Sequence, residues 1–488
     1  TRAFRAANPP KTTCRCASGA SPRSLPLRPW TTRTWEKSWA LLTLRGAERL
    51  RELALLFCAN LVAAFSFAQL KTPDWVNHAN IYEINVRQFS NEGTFAKVEE
   101  QLPRLKKMGV DIIWLMPIHP IGELNRKGSL GSYYAVRDYR DINPEFGSHE
   151  DFERLVQTAH HLGMRVIIDW VANHTSPDNI WVQEGKLDWY TLDSLGKIQP
   201  TIGTDWWDVA DLNYDNQDLR NEMIECMSYW VKEFDIDGYR CDVAGWVPMD
   251  FWNDARAALD QIKPVFMLAE AEGKELHSAF EMTYGWEFHH IMNEVSQGKK
   301  SAADIIEFYG RNQLPNDGFH MNFTSNHDEN SWNGTEMERM GEARFAMAVM
   351  AATIEGMPLV YNGQETSLDR RLKFFDKDSI NWEKMDLVDF YTKLLQLHQS
   401  HPALIVGQGQ QPPIFLTTKD QKEQLVYVRQ AGEQRVLVML NLSAKSKKIS
   451  IDNNMSGAYT NLFSGKKEEL KNKQSITLGP WGYAVYFR

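Results

Sequence analysis

Cysteine is scarce, long apolar runs are missing and basic residues are outnumbered in this 488-residue chain. Of its five cysteines, Cys14, Cys16 and Cys58 fall in the first 68 residues, which leaves Cys226 and Cys241. Two thiols imply no disulfide framework, although one bridge stays open if the chain reaches an oxidising compartment. Cys241, between Arg240 and Asp242, reads as a small buried packing residue. Leu53–Ala68 is apolar but short for a membrane span of about 20 residues, and no later run qualifies. Arg45, Arg49 and Arg51 precede it, Gln69 follows, and the small residues Ser66 and Ala68 suit the −3 and −1 positions of a cleavage site. Residues 51–68 therefore read as a secretory signal peptide, with the product secreted or periplasmic. A lipid-anchored alternative would use Cys58, for which Phe57 is a poor preceding residue. Residues 1–50 lack periodicity and an initiator Met. Two readings stay open: a non-native stretch upstream of a start near Leu50, or a disordered basic extension.

The charge balance is −9 overall. Of the 54 Lys and Arg and the 63 Asp and Glu, eleven and three lie in the first 68 residues, so the remainder stands near −17. Such a surface excludes nucleic acid as the natural partner, since phosphates demand a basic face. A neutral ligand imposes no such demand. Internal repeats and low-complexity linkers are also missing. The 17 Trp are in excess of ordinary core needs; sugar stacking uses such rings, and so does plain packing.

What is present is an alternation of strands and helices. Strands are expected at Ile81–Arg87, Asp111–Met116, Arg165–Trp170, Gly238–Val243, Val265–Glu270, Phe280–Tyr284, His320–Ser325 and Pro358–Asn362. Helices are expected at Thr94–Met108, Glu150–Leu162, Asn216–Phe234, Asp250–Ile262 and Leu387–Gln399. Apolar strands alternating with helices predict a parallel sheet, and eight such units favour a closed (β/α)₈ barrel over 75–400. Residues 175–213, with Trp181, Trp189, Trp206 and Trp207, exceed an ordinary loop and read as a short inserted subdomain after the third strand. Over 405–488 short strands (Gln424–Arg429, Arg435–Asn441, Lys447–Ile451, Tyr483–Phe487) with polar turns predict an antiparallel β-sandwich.

Barrel enzymes keep their chemistry at the C-terminal ends of strands. Asp169, Asp242, Glu270 and Asp328 all fall at such ends. Splitting an acetal needs a carboxylic acid to protonate the leaving oxygen and a carboxylate facing it; environment must separate their pKa values. Arg240, two residues before Asp242, shares its strand face and fits as the cation that keeps it ionised. Asp169 reads as a hydrogen-bonding hub. The pair His289–His290 reads as helix-surface histidines, with no metal-ligand spacing nearby, and Glu329 as a solvated neighbour of Asp328.

Four phrases carry a resemblance: Asp-Trp-Val-Ala-Asn-His (169–174), Gly-Tyr-Arg-Cys-Asp (238–242), Phe-Met-Leu-Ala-Glu (266–270) and Asn-His-Asp (326–328). In this order they resemble the α-amylase family of glycoside hydrolases, over some 410 residues from about Trp75. The resemblance implies Asp242 as nucleophile, Glu270 as general acid and then base, and Asp328 as the third carboxylate. It implies Tyr134, His174, Arg240 and His327 as substrate-binding residues. Glu272, on the same face as Glu270, competes for the acid's role, but the family phrase ends at Glu270. Retention would place the two catalytic carboxyls about 5–5.5 Å apart. The substrate would be an α-1,4-linked glucan or maltooligosaccharide. The chemistry would need no cofactor; Asn173 matches a calcium-binding Asn, which leaves Ca2+ open. Asn173-His-Thr also matches a glycosylation sequon but belongs to the active-site phrase. Gly245 and Trp246 stand where many α-amylases have Lys-His, and Asp-Val-Ala (242–244) is closer to the neopullulanase and cyclomaltodextrin-hydrolase branch. An α-glucosidase, a transglycosylase and a non-catalytic binding relative are the rival readings; oligomeric state is not legible.

Overall fold

The structure, a computed structural model, describes residues 70–488 except 316 and 451–454. The signal-peptide reading and the N-terminal extension lie outside the described residues. Eight parallel strands close on themselves: β1 (Ile81–Ile84), β2 (Ile112–Leu115), β3 (Arg165–Trp170), β4 (Gly238–Cys241), β5 (Phe266–Ala269), β6 (Met282–Tyr284), β7 (Phe319–Asn322) and β8 (Met357–Tyr361), with β8 pairing back onto β1 at Ile81–Leu359. This is the expected (β/α)₈ barrel.

Period-two alternation decides what points inward. Ile81, Ile112, Ile167, Phe266, Leu268, Met282, Phe319, Met321, Met357 and Leu359 share one buried cluster inside the barrel. Two residues further along β1, β3 and β5 the same face carries Glu83, Asp169 and Glu270. On β4 it carries Arg240 and then Asp242. The barrel interior thus changes from apolar to charged as the strands approach their C-terminal ends. Gly238 starts β4 at φ 152°, where a Cβ would lie 1.8 Å from the Phe266 carbonyl oxygen. Only glycine lets β4 approach β5 this closely.

Several boundaries differ from the sequence reading for physical reasons. The first strand stops at Ile84, not Arg87. The Asn85 N–H donates to Asn362 Oδ1 (2.8 Å), and Val86–Phe89 turns into one helical turn. The helix expected over Thr94–Met108 is two, Phe95–Glu99 and Leu102–Met108, because Pro103 lacks the N–H that would continue the ladder. The insertion is pinned at its base by His174–Thr175 pairing antiparallel with Ala210–Asp211. C-terminal to the barrel, a six-stranded antiparallel sheet and a two-stranded one enclose Val426, Val428, Leu437, Met439, Ile449, Tyr459 and Leu470. The sequence reading missed Gly457–Asn461, Lys467–Leu470 and Ser475–Leu478 there, short segments with weak alternation. Among the described residues no helix is long and apolar enough to cross a membrane. Cys226 and Cys241 are buried and free.

Candidate active site

The charged ends of the strands converge on Arg240, which is fully buried at the centre of β4. Its Nη1 donates to Asp169 Oδ1 (2.8 Å) and Asp242 Oδ1 (2.9 Å), its Nη2 lies 2.8 Å from Glu270 Oε2, and its Nε donates to Tyr284 Oη (3.1 Å). A buried guanidinium without such partners would be prohibitively desolvated; its planar fork suits several carboxylates at once.

Above this fork lies a cleft of about 550 Å³, within the usual range for ligand sites of ~300–1,000 Å³. Of the seven residues implied by the resemblance, Tyr134, His174, Asp242, Glu270, His327 and Asp328 line it. Arg240 does not: it sits beneath the floor with no exposed surface, and holds carboxylates instead of meeting a ligand. Tyr134 Oη donates to Asp169 Oδ2 (3.1 Å), so Asp169 ties two of the site's elements together from below. His174 is buried against Trp206, and burial pushes its imidazole down to about 3, so it is a neutral donor–acceptor.

The carboxyls differ in environment. Burial pushes Asp242 up to about 6 against the pull of Arg240. Burial, opposed by Arg240 and reinforced by the charges of Asp242 and Asp328, pushes Glu270 further, to about 8. Burial would also raise Asp328, but the adjacent His327 imidazolium outweighs it and holds this carboxyl below its ordinary value. Near neutral pH the site therefore favours a protonated Glu270 facing ionised Asp242 and Asp328, the division of labour that acid–nucleophile chemistry requires. The backbone helps. Val243, immediately after Asp242, adopts φ 36°, ψ 44°, a left-handed conformation unfavourable for a β-branched residue. There its N–H donates to Glu270 Oε2 (2.9 Å).

Two residues are not where the sequence reading put them. His289 is fully buried, not on a helix surface: its Nδ1 bonds the Phe323 carbonyl (2.9 Å) and its Nε2 lies 3.1 Å from Glu329 Oε2. Glu329 is accordingly buried, paired also with Arg339 (3.5 Å), and supports the π-helical turn Glu329–Asn333 that follows Asp328. His290 alone of that pair is exposed. Glu272 accepts from the Glu287 N–H (3.0 Å) and is not part of the cleft lining.

No sequence motif marks the cleft's rim. Trp206 stacks on the exposed Trp246 (5.5 Å, 30°). Across the opening Trp332 packs on Phe374 and Phe375. Lys127 joins the rim by pairing with Asp208 (2.9 Å) and lying over the Trp207 ring (4.3 Å). Leu130 N–H to Phe375 O (2.9 Å) and Ser129 to Asp376 link the loops after β2 and β8. At Asn173 the amide nitrogen faces Thr201 Oγ1 and His174 Nδ1 (3.2 Å each), the backbone carbonyl accepts the Leu212 N–H, and among the described residues no three His, Cys, Asp or Glu converge at metal-ligand spacing.

A barrel whose C-terminal mouth holds three cleft carboxyls around a buried arginine, below an aromatic rim, is of the glycoside hydrolase class. The comparisons make this specific. Residues 66–390 match the α-amylase catalytic domain and residues 414–485 the maltogenic amylase C-terminal domain. The chain is 31% identical to an α-amylase from Lactobacillus plantarum, covering 85% of this chain and 99% of that one with a TM-score of 0.76. It is equally identical to a noncanonic maltogenic α-amylase, AmyB, from Thermotoga neapolitana, with the same coverage and a TM-score of 0.77. Alpha-amylase 2 of Dictyoglomus thermophilum is 26% identical over 87% of this chain and 78% of its own length. The chain belongs to the α-amylase family, glycoside hydrolases that act on α-glucans.

Proposed function

We propose that this enzyme cleaves α-1,4-glucosidic bonds of starch-like glucans or maltooligosaccharides with retention of configuration. The observation that carries the reading is the pairing of Asp242 and Glu270 on one guanidinium, with burial and neighbouring charge raising Glu270 above Asp242. In this reading Glu270 protonates the glycosidic oxygen while Asp242 attacks the anomeric carbon. The glycosyl-enzyme ester is then opened by a water that Glu270, now a carboxylate, deprotonates. Asp328, His327 and His174 take the hydroxyls of the reacting sugar, and Tyr134 lies against its ring. The chemistry uses only these side chains.

A second reading, an enzyme of the cyclomaltodextrinase or neopullulanase kind, is supported by the Asp-Val-Ala phrase and by the match to the maltogenic amylase C-terminal domain. Product profiles on maltoheptaose, pullulan and cyclodextrin separate the two. Internal cleavage of maltoheptaose with little action on cyclodextrin supports the first, preferential opening of cyclodextrin the second, and release of glucose alone contradicts both.

Gly245 and Trp246 stand in place of the Lys-His pair beyond the nucleophile, and Trp246 presents an exposed ring, 56% accessible, stacked on Trp206. It is proposed as a platform for a sugar beyond the cleavage point. Trp246→Ala should raise KM for maltoheptaose about fivefold, the loss of roughly 1 kcal/mol of ring contact, with kcat nearly unchanged because the contact is uniform binding. An unchanged KM would remove this role. We further propose export from the cytoplasm, supported by the apolar run Leu53–Ala68 with Arg45, Arg49 and Arg51 ahead of it. Mass spectrometry of the secreted product should find an N-terminus at Gln69; retention of the upstream residues contradicts it.

A further inference from the structure

His327 is placed so that both of its ring nitrogens meet acids. Nδ1 lies 2.5 Å from Glu83 Oε1, at the end of β1 inside the barrel. Nε2 lies 3.3 Å from Asp328 Oδ2 and 2.8 Å from Tyr134 Oη. Tyr134 Oη gives its own proton to Asp169 Oδ2, and so accepts from His327. A neutral imidazole could serve one side only, with its bare nitrogen aimed at a carboxylate on the other; an imidazolium donates on both. Glu83 itself is fully buried, and its second oxygen has no hydrogen-bond partner among the described residues. Trp114 sets its ring edge against His327 (5.9 Å), and Phe374 closes the remaining side. The charged or titratable groups facing His327 are thus Glu83 from β1, Tyr134 from the loop after β2, and Asp328 beside it, with Asp169 and Arg240 beyond Tyr134.

We propose that Glu83 is a positioning residue for the hydrolytic reaction: a buried counter-ion that keeps His327 doubly protonated, so that His327 in turn holds Asp328 ionised and presents a charged donor to the sugar. Burial alone would discharge the imidazole, but Asp328 and Glu83 together hold its pKa well above the ordinary value. Removal of Glu83's charge takes away one of these two anions. Glu83→Gln keeps the volume and an acceptor oxygen for Nδ1–H, so the change is one of charge. This inference rests on the catalytic reading of the site, and its tests separate the two.

The first test is the ratio of kcat/KM for Glu83→Gln to that of the wild type across pH. If His327 falls back to an ordinary imidazole pKa of ~6.5, the ratio should drop about 30-fold between pH 5.5 and pH 8. A ratio that is low but flat across pH would overturn the proposal, because a merely structural role has no pH signature. The second test needs no turnover: ¹⁵N resonances of His327 in histidine-labelled wild type, assigned by their loss in His327→Asn. Both nitrogens should be protonated up to at least pH 8. One unprotonated nitrogen at pH 7 would overturn the proposal, even if Glu83→Gln fails to fold. Absence of any α-glucan hydrolysis by the wild type would instead contradict the functional reading and leave the resonances to decide on Glu83.

Discussion

Replacing Asp242 by Asn is expected to lower kcat on starch and maltooligosaccharides by at least ~10⁴-fold, the scale on which covalent nucleophiles act, while the fold persists. Asn keeps the shape and one acceptor oxygen for Arg240 Nη1, so the fork that also holds Asp169 and Glu270 stays occupied. The amide cannot form the glycosyl ester. Stability should not suffer. Burial raises the Asp242 carboxyl above its unfolded value, so its ionised form costs stability once the pH exceeds the unfolded pKa of ~3.9, a cost that levels off above the folded value of about 6. Removing the charge should leave the melting temperature at pH 7 unchanged or higher. Calorimetry and rates measured on the same preparation check both halves. Residual activity within tenfold of the wild type would show that Asp242 is not the nucleophile.

Glu270→Gln is expected to cost about 10²–10⁴-fold on natural substrates, the range for a general acid–base group. The loss should depend on the leaving group. Maltosyl fluoride, whose fluoride departs without a proton, should recover the first step but not the second. The pH profile carries further information. In the wild type, activity should fall at acid pH as Asp242 gains a proton near about 6, and at alkaline pH as Glu270 loses one near about 8. The two groups share one guanidinium, so the limbs belong to the pair. A Gln cannot ionise, so the alkaline limb assigned to Glu270 should vanish in the variant. Its persistence at the same pH would assign it to another group.

Much of this site was legible because its chemistry is local. Arg165–Trp170 and the core of β4 and β5 are apolar strands that end in acids, and period-two alternation puts Arg240 and Asp242 on one face. The barrel followed from the alternation of strands and helices. What escaped the sequence depends on contacts between distant elements. Glu83 sits in an expected strand, yet nothing local pairs it with His327, 244 positions away. His289 and Glu329, forty residues apart, each read as surface groups until the fold buries them against one another. Trp332, Phe374 and Phe375 come from separate loops that meet only over the barrel mouth. Pro103 stands inside the apolar spacing over Thr94–Met108, and its missing N–H divides that stretch into two helices.

The central claim is that Asp242 attacks the sugar while Glu270 supplies the proton. Mass spectrometry of peptides from enzyme inactivated with a 5-fluoro-α-glucosyl fluoride tests it most directly, since such a reagent slows the opening of the ester more than its formation. The account predicts a single fluoroglucosyl adduct on Asp242, with none formed by Asp242→Asn. An adduct on Glu270 or Asp328, or full turnover of the reagent by Asp242→Asn, would contradict it.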